Sequence, residues 1–526
     1  MTRQPTVHLL SLGCPKNRVD SEVMLGHLVR DGYSPVDSPD NADVIVVNTC
    51  AFIDAAKEES VDAILEMGQY KRNGKRKGHT PKLVVAGCLS QRYGDQLAQE
   101  IPEVDHFLGT GNFETISHVL HGRTAQSTHR LPIVGQMGTS AEGHRREHGN
   151  HAQHSRLQGR NKLVPYRHDF DPTASRPVFI PDPDFSLTAT SPRVSTLPGY
   201  TSYLKISEGC SNTCSFCIIP KLRGPQRSRA LPDILEETHQ LLDRGVVELN
   251  LIAQDLCAYG KDLQPKQGLA ALLRALDKAA AQADHPVWIR CLYAYPRGLT
   301  REVIEVLTRA NHIVPYLDMP LQHVSDKILR GMRRGKGGEA TKDLLRRLRR
   351  AIPNLVLRTT FITGLPGETD DDFHELMEFV EELRFQHMGV FTYSVEEDTP
   401  AATMSGQVAA DIAEERREKL MALQQQISRD YQDDLCGQTL DVLVEGVSQQ
   451  SDLLLQGRHK GQAPDIDGLT YITAGCASPG EVVSVLIEEA GDYDLAGPIV
   501  EPFRGYDEQP TRGVKNKTPQ ALDTAR

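Results

Sequence analysis

Three short apolar runs, at 7–12, 43–47 and 82–86, each deliver the chain to a cysteine: Cys14, Cys50 and Cys88. Helical patterns follow, as at 21–29 and 55–67. Strand, cysteine and helix therefore recur as a unit, and that alternation builds a parallel sheet whose buried strands read as continuous apolar runs. Loops at the carboxyl ends of such strands lie along one edge, where ligands gather. The three thiols are thus expected at one edge of one sheet as ligands to one centre. The plainer reading is three buried structural cysteines; exposed strand-end loops argue against it.

A second set is far tighter. Cys210-Ser-Asn-Thr-Cys214-Ser-Phe-Cys217 places three thiolates where they can curl around one compact metal centre. Three protein ligands can leave one coordination position open, and an open position is where chemistry occurs. No apolar run reaches the roughly 18 residues of a membrane span. The first residues lack the long apolar stretch and cleavage site of a secretory signal. The expectation is a reducing, cytoplasmic compartment, in which the ten cysteines are ligands and bystanders rather than disulfides. Cys257, Cys291, Cys436 and Cys476 have no ligand spacing and read as packing residues.

The 526 residues divide by pattern, and the chain as a whole is α/β. Residues 5–118 form the N-terminal parallel-sheet domain. Residues 119–198 carry His121, His129, His144, His148, His151, His154 and His168 among Gly, Ser, Gln and Arg, without apolar periodicity. This stretch reads as a flexible insert or linker; weak metal binding by His144, His148, His151 and His154 is the lesser reading. Residues 199–432 resume the α/β alternation. Apolar runs at 246–252, 287–290, 316–319, 355–362 and 388–393, with the strand before Cys210, make six βα units. Six is short of the eight of a closed barrel, so a partial (β/α)6 barrel is expected. Residues 433–503 are all-β in pattern and suit a small antiparallel β-barrel of about five strands. Residues 504–526 read as a polar tail.

Charge separates these regions. A net charge of −11 excludes whole-surface attraction to nucleic acid. From 436 to 503 only Arg458 and Lys460 oppose eleven carboxylates, a net of −9. Such a module repels a phosphate backbone and attracts a basic protein. Arg346, Arg347, Arg349 and Arg350 flank Leu344, Leu345 and Leu348, which reads as the solvated face of a barrel helix; an RNA contact is the lesser reading. Gly364-Leu-Pro-Gly-Glu368 is not a phosphate loop, because it lacks the Gly-Lys-Ser/Thr ending.

The CxxxCxxC spacing, extended by Ile218-Ile-Pro-Lys-Leu-Arg-Gly-Pro-Gln-Arg-Ser-Arg229, resembles the radical S-adenosylmethionine (SAM) methylthiotransferases. The resemblance spans nearly the whole chain: N-terminal cluster domain, radical SAM core and C-terminal TRAM module. Three further stretches are similar to the branch of that family that modifies an aspartate of small-subunit ribosomal protein S-twelve. They are Ser11-Leu-Gly-Cys-Pro-Lys-Asn-Arg-Val-Asp-Ser-Glu22, Asp318-Met-Pro-Leu-Gln-His323 and Pro464-Asp-Ile-Asp-Gly468.

The resemblance implies two 4Fe–4S clusters, one held by Cys210, Cys214 and Cys217 and one by Cys14, Cys50 and Cys88. It implies SAM in two roles, as radical source at the first and as methyl donor. The product would be a methylthio group on the β-carbon of an aspartate, a C–H position that no ordinary acid or base activates at neutral pH. The protein's task is then to place the radical against one bond and exclude other reactions. Phe216 would help seat the adenine, and Gln254, Asp255, Gln322, Arg358 and Gly364, at expected strand ends, would contact SAM or substrate; barrel-edge hydrogen bonds and salt bridges are their alternative roles. An electron donor and a sulfur source are implied partners, with the chain working as a monomer and away from membranes.

Two other functions fit parts of this pattern. A transfer-RNA (adenosine) methylthiotransferase would use the same clusters, and the acidic final module argues against it. A non-catalytic zinc or iron–sulfur protein would normally offer four ligands per centre, and each set here has three.

Overall fold

A computed structural model describes residues 3–76, 79–111, 113–121, 178–180, 182–335 and 337–502. Of the histidine-rich stretch, His129, His144, His148, His151, His154 and His168 lie outside the described residues, as does the tail at 504–526.

The first sheet has six strands: β1 (Thr6–Ser11), β2 (Ser34–Pro35), β3 (Val44–Thr49), β4 (Lys82–Gly87), β5 (His106–Leu108) and β6 (Val178–Phe179). Their order is β2-β1-β3-β4-β5-β6, all parallel. Every residue of β3 is buried, as a central strand covered on both faces requires. Cys50 and Cys88 directly follow the carboxyl ends of β3 and β4, and Cys14 comes three residues after that of β1.

Part of the expected linker is built into the fold. Val178–Phe179 extends the sheet beside β5, and Phe185, Leu187 and Val194 are buried. Arg193 is buried between Glu22 at 2.7 Å and Glu237 at 2.8 Å, joining the first domain to the second. Lone apolar residues spaced among Pro, Ser and Thr leave no period to read, so this packing left no trace in the pattern.

The central sheet follows a short antiparallel hairpin, β8 (Ser207–Glu208) with β9 (Arg227–Ser228), set after β7 (Thr201–Lys205). Then come β10 (Glu248–Ile252), β11 (Trp288–Cys291), β12 (Ile313–Asp318), β13 (Val356–Thr363) and β14 (His387–Thr392). The order β14-β13-β12-β11-β10-β7 is parallel throughout and leaves β7 and β14 as edges, the partial six-unit barrel expected from the sequence. Its helices cover the outer face by ordinary amphipathic spacing: Leu269–Ala280 buries Leu269, Leu272, Leu273, Leu276 and Ala280. Gly338–Ala351 buries Leu344, Leu345 and Leu348 and leaves Arg346, Arg347 and Arg350 outside, as expected, while Arg349 is half-buried and donates to the Arg384 carbonyl at 2.8 Å.

The last sheet has seven strands rather than about five: β15 (Thr439–Val447), β16 (Leu455–His459), β17 (Thr470–Ile472), β18 (Val482–Leu486), β19 (Glu489–Ala490), β20 (Leu495–Gly497) and β21 (Ile499–Pro502). Strands of two or three residues are too short to show alternation, which is why the pattern undercounts them. All pairs are antiparallel except β17 with β20.

This module docks on the amino-terminal half of the barrel strands. Glu248, the first residue of β10, pairs with Arg290 of β11 at 3.0 Å and Arg458 of β16 at 2.7 Å, all three side chains at most 1% exposed. Asp467 reaches the barrel interior, accepting 2.7 Å from the Tyr316 hydroxyl and lying 3.5 Å from Arg358 and 3.6 Å from His387. The carboxyl-terminal ends of the strands are left as the mouth. Of the other cysteines, Cys257 and Cys291 are buried as expected, whereas Cys436 and Cys476 are exposed, the Cys436 thiol donating to the Gln432 carbonyl at 4.0 Å.

Candidate metal centres at the barrel mouth

Strand register gathers the first three thiols. Ser11 pairs with Asn48 and Thr49 with Gly87, so the residues that follow, through Cys14, Cys50 and Cys88, lie along one edge. Gly13 takes a left-handed φ of +83°, and a Cβ there would stand 2.8 Å from the Cys50 Cβ and 3.1 Å from its Sγ. Glycine is what permits that approach. Side-chain hydrogen bonds fix the loop: the Asn17 amide donates to the Leu12 carbonyl at 2.7 Å, and the Cys50 N–H donates to the Ser60 hydroxyl at 3.0 Å. Cys14 caps the helix Pro15–Arg30 and Cys88 opens the helix Cys88–Glu100, so two of the thiols sit where helix N–H groups favour negative charge.

The thiols sense one another. Burial pushes Cys50 up to about 12, and Cys88 and Cys14 add to it. Burial also raises Cys88, against the nearby Arg223. At Cys14 burial acts the same way, but Lys16 and Arg223 together outweigh it and bring the thiol down.

The second set occupies the loop between β8 and the helix Ile219–Arg223. The Cys210 N–H donates to the Gly224 carbonyl at 3.0 Å and the Cys217 N–H to the Cys214 carbonyl at 3.3 Å. Ser215 pins the loop to the barrel through the Met332 carbonyl at 3.0 Å and the Gly331 carbonyl at 2.8 Å. Arg334 donates to the Cys214 sulfur at 3.7 Å and stacks on Tyr295 at 4.5 Å. Burial pushes Cys217 up to about 12, with Cys214 and Cys210 adding to it; burial also raises Cys210.

A buried charge cluster, not foreseen from the sequence, joins the two sets. The Arg223 guanidinium donates to Asp20 at 2.8 Å, Glu208 at 3.1 Å and Asn17 at 3.1 Å. Lys205 pairs with Asp20 at 2.5 Å and with Glu208. Asp20 and Asn17 belong to the first domain; the other three surround the CxxxCxxC loop. Above them Lys16 stands 3.0 Å from the centre of the Tyr293 ring at the end of β11. The signal was present in the sequence as charges inside the two motif stretches, but nothing local says that they meet.

The six expected SAM or substrate contacts separate into two groups. Phe216 is buried with Ile328, Leu329, Met332, Leu365 and Ala401, against Cys214 and Cys217. Gln254 and Asp255 follow β10 at the mouth: the Gln254 amide donates to Glu208 at 2.9 Å, and Asp255 accepts from Asn212 at 2.8 Å. Their other oxygens, Gln254 Oε1 and Asp255 Oδ1, are buried without a protein hydrogen bond, and burial raises the Asp255 carboxyl. Gln322 holds a left-handed φ of +74° at the mouth, its backbone bonded to Thr360 and Ile362 at 2.7 and 2.8 Å. Arg358 instead spans Asp318 at 3.2 Å and Asp467 at 3.5 Å inside the barrel. At Gly364 a Cβ would stand 2.3 Å from the Ala413 Cβ, so that glycine admits the helix Ala410–Asp433.

Among the described residues no three His, Cys, Asp or Glu side chains are gathered tightly enough for a single metal ion. The donor sets nonetheless fit iron–sulfur clusters: each offers three soft sulfur donors, and in the second set Arg334 donates to the Cys214 sulfur. The buried unpartnered oxygens of Gln254 and Asp255, beside the second set, fit a ligand that brings hydrogen-bond donors.

Comparison with known proteins adds three family matches: Uncharacterized protein family UPF0004 over residues 6–109, the Radical SAM superfamily over 204–380 and the TRAM domain over 436–500. The chain is 48% identical to the ribosomal protein uS12 methylthiotransferase RimO of Anaeromyxobacter sp. (strain K), over 94% of this chain and 93% of that one. It is 49% identical to the protein of the same name from Anaeromyxobacter sp. (strain Fw109-5), with the same coverage. It is 48% identical to that of Myxococcus xanthus (strain DK1622), over 95% and 93%. Among solved structures it is similar to the radical S-adenosylmethionine methyltransferase TsrM from Kitasatospora setae, at 13% identity over 84% of this chain and 81% of that one, with a TM-score of 0.49.

Proposed function

The chain belongs to the ribosomal protein uS12 methylthiotransferase family of radical SAM enzymes, and from that membership we propose that it transfers a methylthio group to the β-carbon of an aspartate of uS12. The observation that supports the reading is the buried junction of the two cysteine-bearing stretches, where Arg223 donates to Asp20 and Asn17 of one and to Glu208 of the other. Cys210, Cys214 and Cys217 would hold one 4Fe–4S cluster and Cys14, Cys50 and Cys88 the other. Loaded there with SAM, these groups supply one-electron bond cleavage, sulfur and a methyl group.

The chain's own residues do the rest. Phe216 and the apolar side chains around it keep water from the radical side of the mouth. Gln254 and Asp255 offer buried oxygens to the amino group of SAM. Gln322 is held in a sparsely populated conformation at the same edge, the kind of strain that concentrates at working sites. Arg358 and Gly364 act through packing, tying the barrel to the last module and to the helix Ala410–Asp433.

The acceptor is assigned by charge as well as by family. Both cations of the final module are engaged: Arg458 with Glu248 and Glu445, Lys460 with Asp441. Asp452, Asp465, Glu481, Glu488 and Glu489 remain exposed, an acidic face that attracts a basic ribosomal protein and repels RNA. Among the described residues no helix is long and apolar enough to cross a membrane. We place the enzyme in the cytoplasm as a monomer, drawing electrons and sulfur from separate partners.

The test is anaerobic reconstitution with iron, sulfide and SAM, followed by mass analysis of uS12 and of transfer RNA. A methylthio gain on a uS12 aspartate is expected. Modification of RNA alone would refute the protein acceptor. Cys214→Ala should abolish 5′-deoxyadenosine formation, whereas Cys50→Ala should retain it and yield no methylthio product.

A further inference from the structure

The segment that follows β14 reaches toward both cysteine sets. The Ala401 N–H donates to the Ser215 carbonyl at 2.9 Å, inside the CxxxCxxC loop. Nearer the strand, the Glu396 carboxylate, 2% exposed, accepts from two cations of the first domain: Arg92 at 2.5 Å and Lys57 at 3.1 Å. The turn between these contacts is fixed, because the Thr399 N–H and hydroxyl both donate to the Glu396 carbonyl, at 3.2 and 2.7 Å. Arg92 lies about one turn after Cys88 on the helix Cys88–Glu100. Its guanidinium also donates to the carbonyl of Ala51, the residue after Cys50, at 3.3 Å and to the Glu397 carbonyl at 3.2 Å. Lys57 belongs to the helix Asp54–Arg76, whose first N–H donates to the Ser394 hydroxyl at 3.3 Å. The Cys50 loop and the Cys88 helix are therefore tied to one carboxylate of the barrel mouth.

From this geometry we propose that Arg92 and Glu396 are positioning residues. Together they form a clasp that holds the Cys50 and Cys88 arms of the N-terminal centre at a fixed distance from the CxxxCxxC centre, and so couples radical formation to methylthio transfer. The proposal rests on the assignment of the two cysteine sets as cluster ligands. A reaction shared between two centres depends on their spacing, and a displacement of about 1 Å can cost about a hundredfold in rate. The stretch bearing Cys14 has its own tie, from Asp20 and Asn17 to Arg223, so loss of the clasp lets the first domain pivot about that junction. A planar guanidinium suits the task, since it grips a carboxylate and two carbonyls at once and has little freedom to turn. The clasp needs no metal to form: Arg92 and Lys57 are balanced by Glu396 and by Asp54, which lies 2.6 Å from Lys57.

The experiment uses the full-length chain, reconstituted anaerobically with iron, sulfide and SAM. Iron content, 5′-deoxyadenosine, methylthio groups on uS12 and amide hydrogen exchange are measured. Glu396→Gln keeps the shape of the side chain and removes the charge that both cations face. It is expected to keep its iron and its 5′-deoxyadenosine, and to yield about tenfold fewer methylthio groups per 5′-deoxyadenosine. Amides at 51–60 and 89–96 should exchange faster. Arg92→Met should behave alike, and Arg92→Lys, which keeps the charge and loses the fork, should recover coupling to within about threefold of the parent. Lys57→Met removes the more exposed arm of the clasp and keeps the test open if the other variants do not fold: a loss of coupling of about threefold supports the proposal and parent-like coupling overturns it. Parent-like coupling in Glu396→Gln and Arg92→Met would also overturn it, as would iron lost in step with product. A parent chain that makes no methylthio product refutes the functional reading instead; the exchange rates of the variants then decide the clasp, faster rates supporting it and parent-like rates overturning it.

Discussion

Asp467 accepts a 2.7 Å hydrogen bond from the hydroxyl of Tyr316, although one residue belongs to the final module and the other to a barrel strand. The carboxylate also receives the Ala463 N–H at 2.9 Å and faces Arg358 and His387. It is a plug whose charge is matched on every side.

Removing that carboxylate should loosen the module from the barrel. Asp467→Ala leaves Arg358 with Asp318 alone and Tyr316 without its acceptor, and breaking a buried pair of this kind costs about 3 kcal/mol. Burial pushes the Asp467 carboxyl up, but His387 and Arg358 outweigh it and hold it below the ordinary value. Its stabilisation is therefore complete above the unfolded pKa of about 4 and is lost as pH falls through the lower folded value. Urea midpoints of the wild type and Asp467→Asn should differ at pH 7 and converge in acid. A constant difference across that range would contradict this account.

Gly13→Ala should damage one centre selectively. The new Cβ would meet Cys50 at 2.8 Å in a backbone already at φ +83°. Strain of about 1–3 kcal/mol is expected there, relieved by moving the Cys50 side chain. Iron bound by the N-terminal set should fall, while 5′-deoxyadenosine formation at Cys210, Cys214 and Cys217 continues. Equal loss at both centres would mean that the domain as a whole had unfolded.

Gly364→Ala tests a role that sequence position alone misassigns. A Cβ at Gly364 would stand 2.3 Å from that of Ala413, at φ +78°. The helix Ala410–Asp433 must then move off the end of β13, at a cost of about 2–3 kcal/mol. Ala413→Gly should recover part of the lost thermal stability but not the backbone strain. A normal melting temperature with weakened SAM binding would instead return Gly364 to the ligand site.

These cases show how far the sequence reaches. The cysteines were legible because apolar runs mark strands, and parallel strands bring their ends together whatever the intervening residues are. Six barrel units were legible for the same reason. Gly364 does directly follow the carboxyl end of β13, whereas Arg358 is its third residue and lies inside the barrel; their partners Ala413 and Asp467 come from distant segments whose docking no local period encodes. Arg223 and Asp20 are charged residues in helices, an ordinary sight until folding buries them together. The packed segment at 182–198 was hidden because single apolar residues among prolines carry no period.

Three buried histidines set the acid limit of stability. Burial brings His27 and His323 down to about 4 and His459 to about 3, with cationic neighbours adding to the effect: Arg30, Arg416 and Lys327, and at His459 also His387 and Arg290. An unfolded chain protonates these rings near pH 6.5. Between about pH 6.5 and 4 the unfolded state thus binds protons that the folded state refuses, and stability falls as pH falls. The slope should be about 1.4 kcal/mol per pH unit for each ring once the pH is well below 6.5. This window lies above the one in which Asp467 loses its charge, so the two effects separate on the pH axis. Urea denaturation from pH 7.5 to 4.5 should show the decline, and His323→Asn with His459→Asn should remove about two thirds of the contribution of these three rings. An unchanged slope in that double variant would mean that the rings ionise within the folded protein.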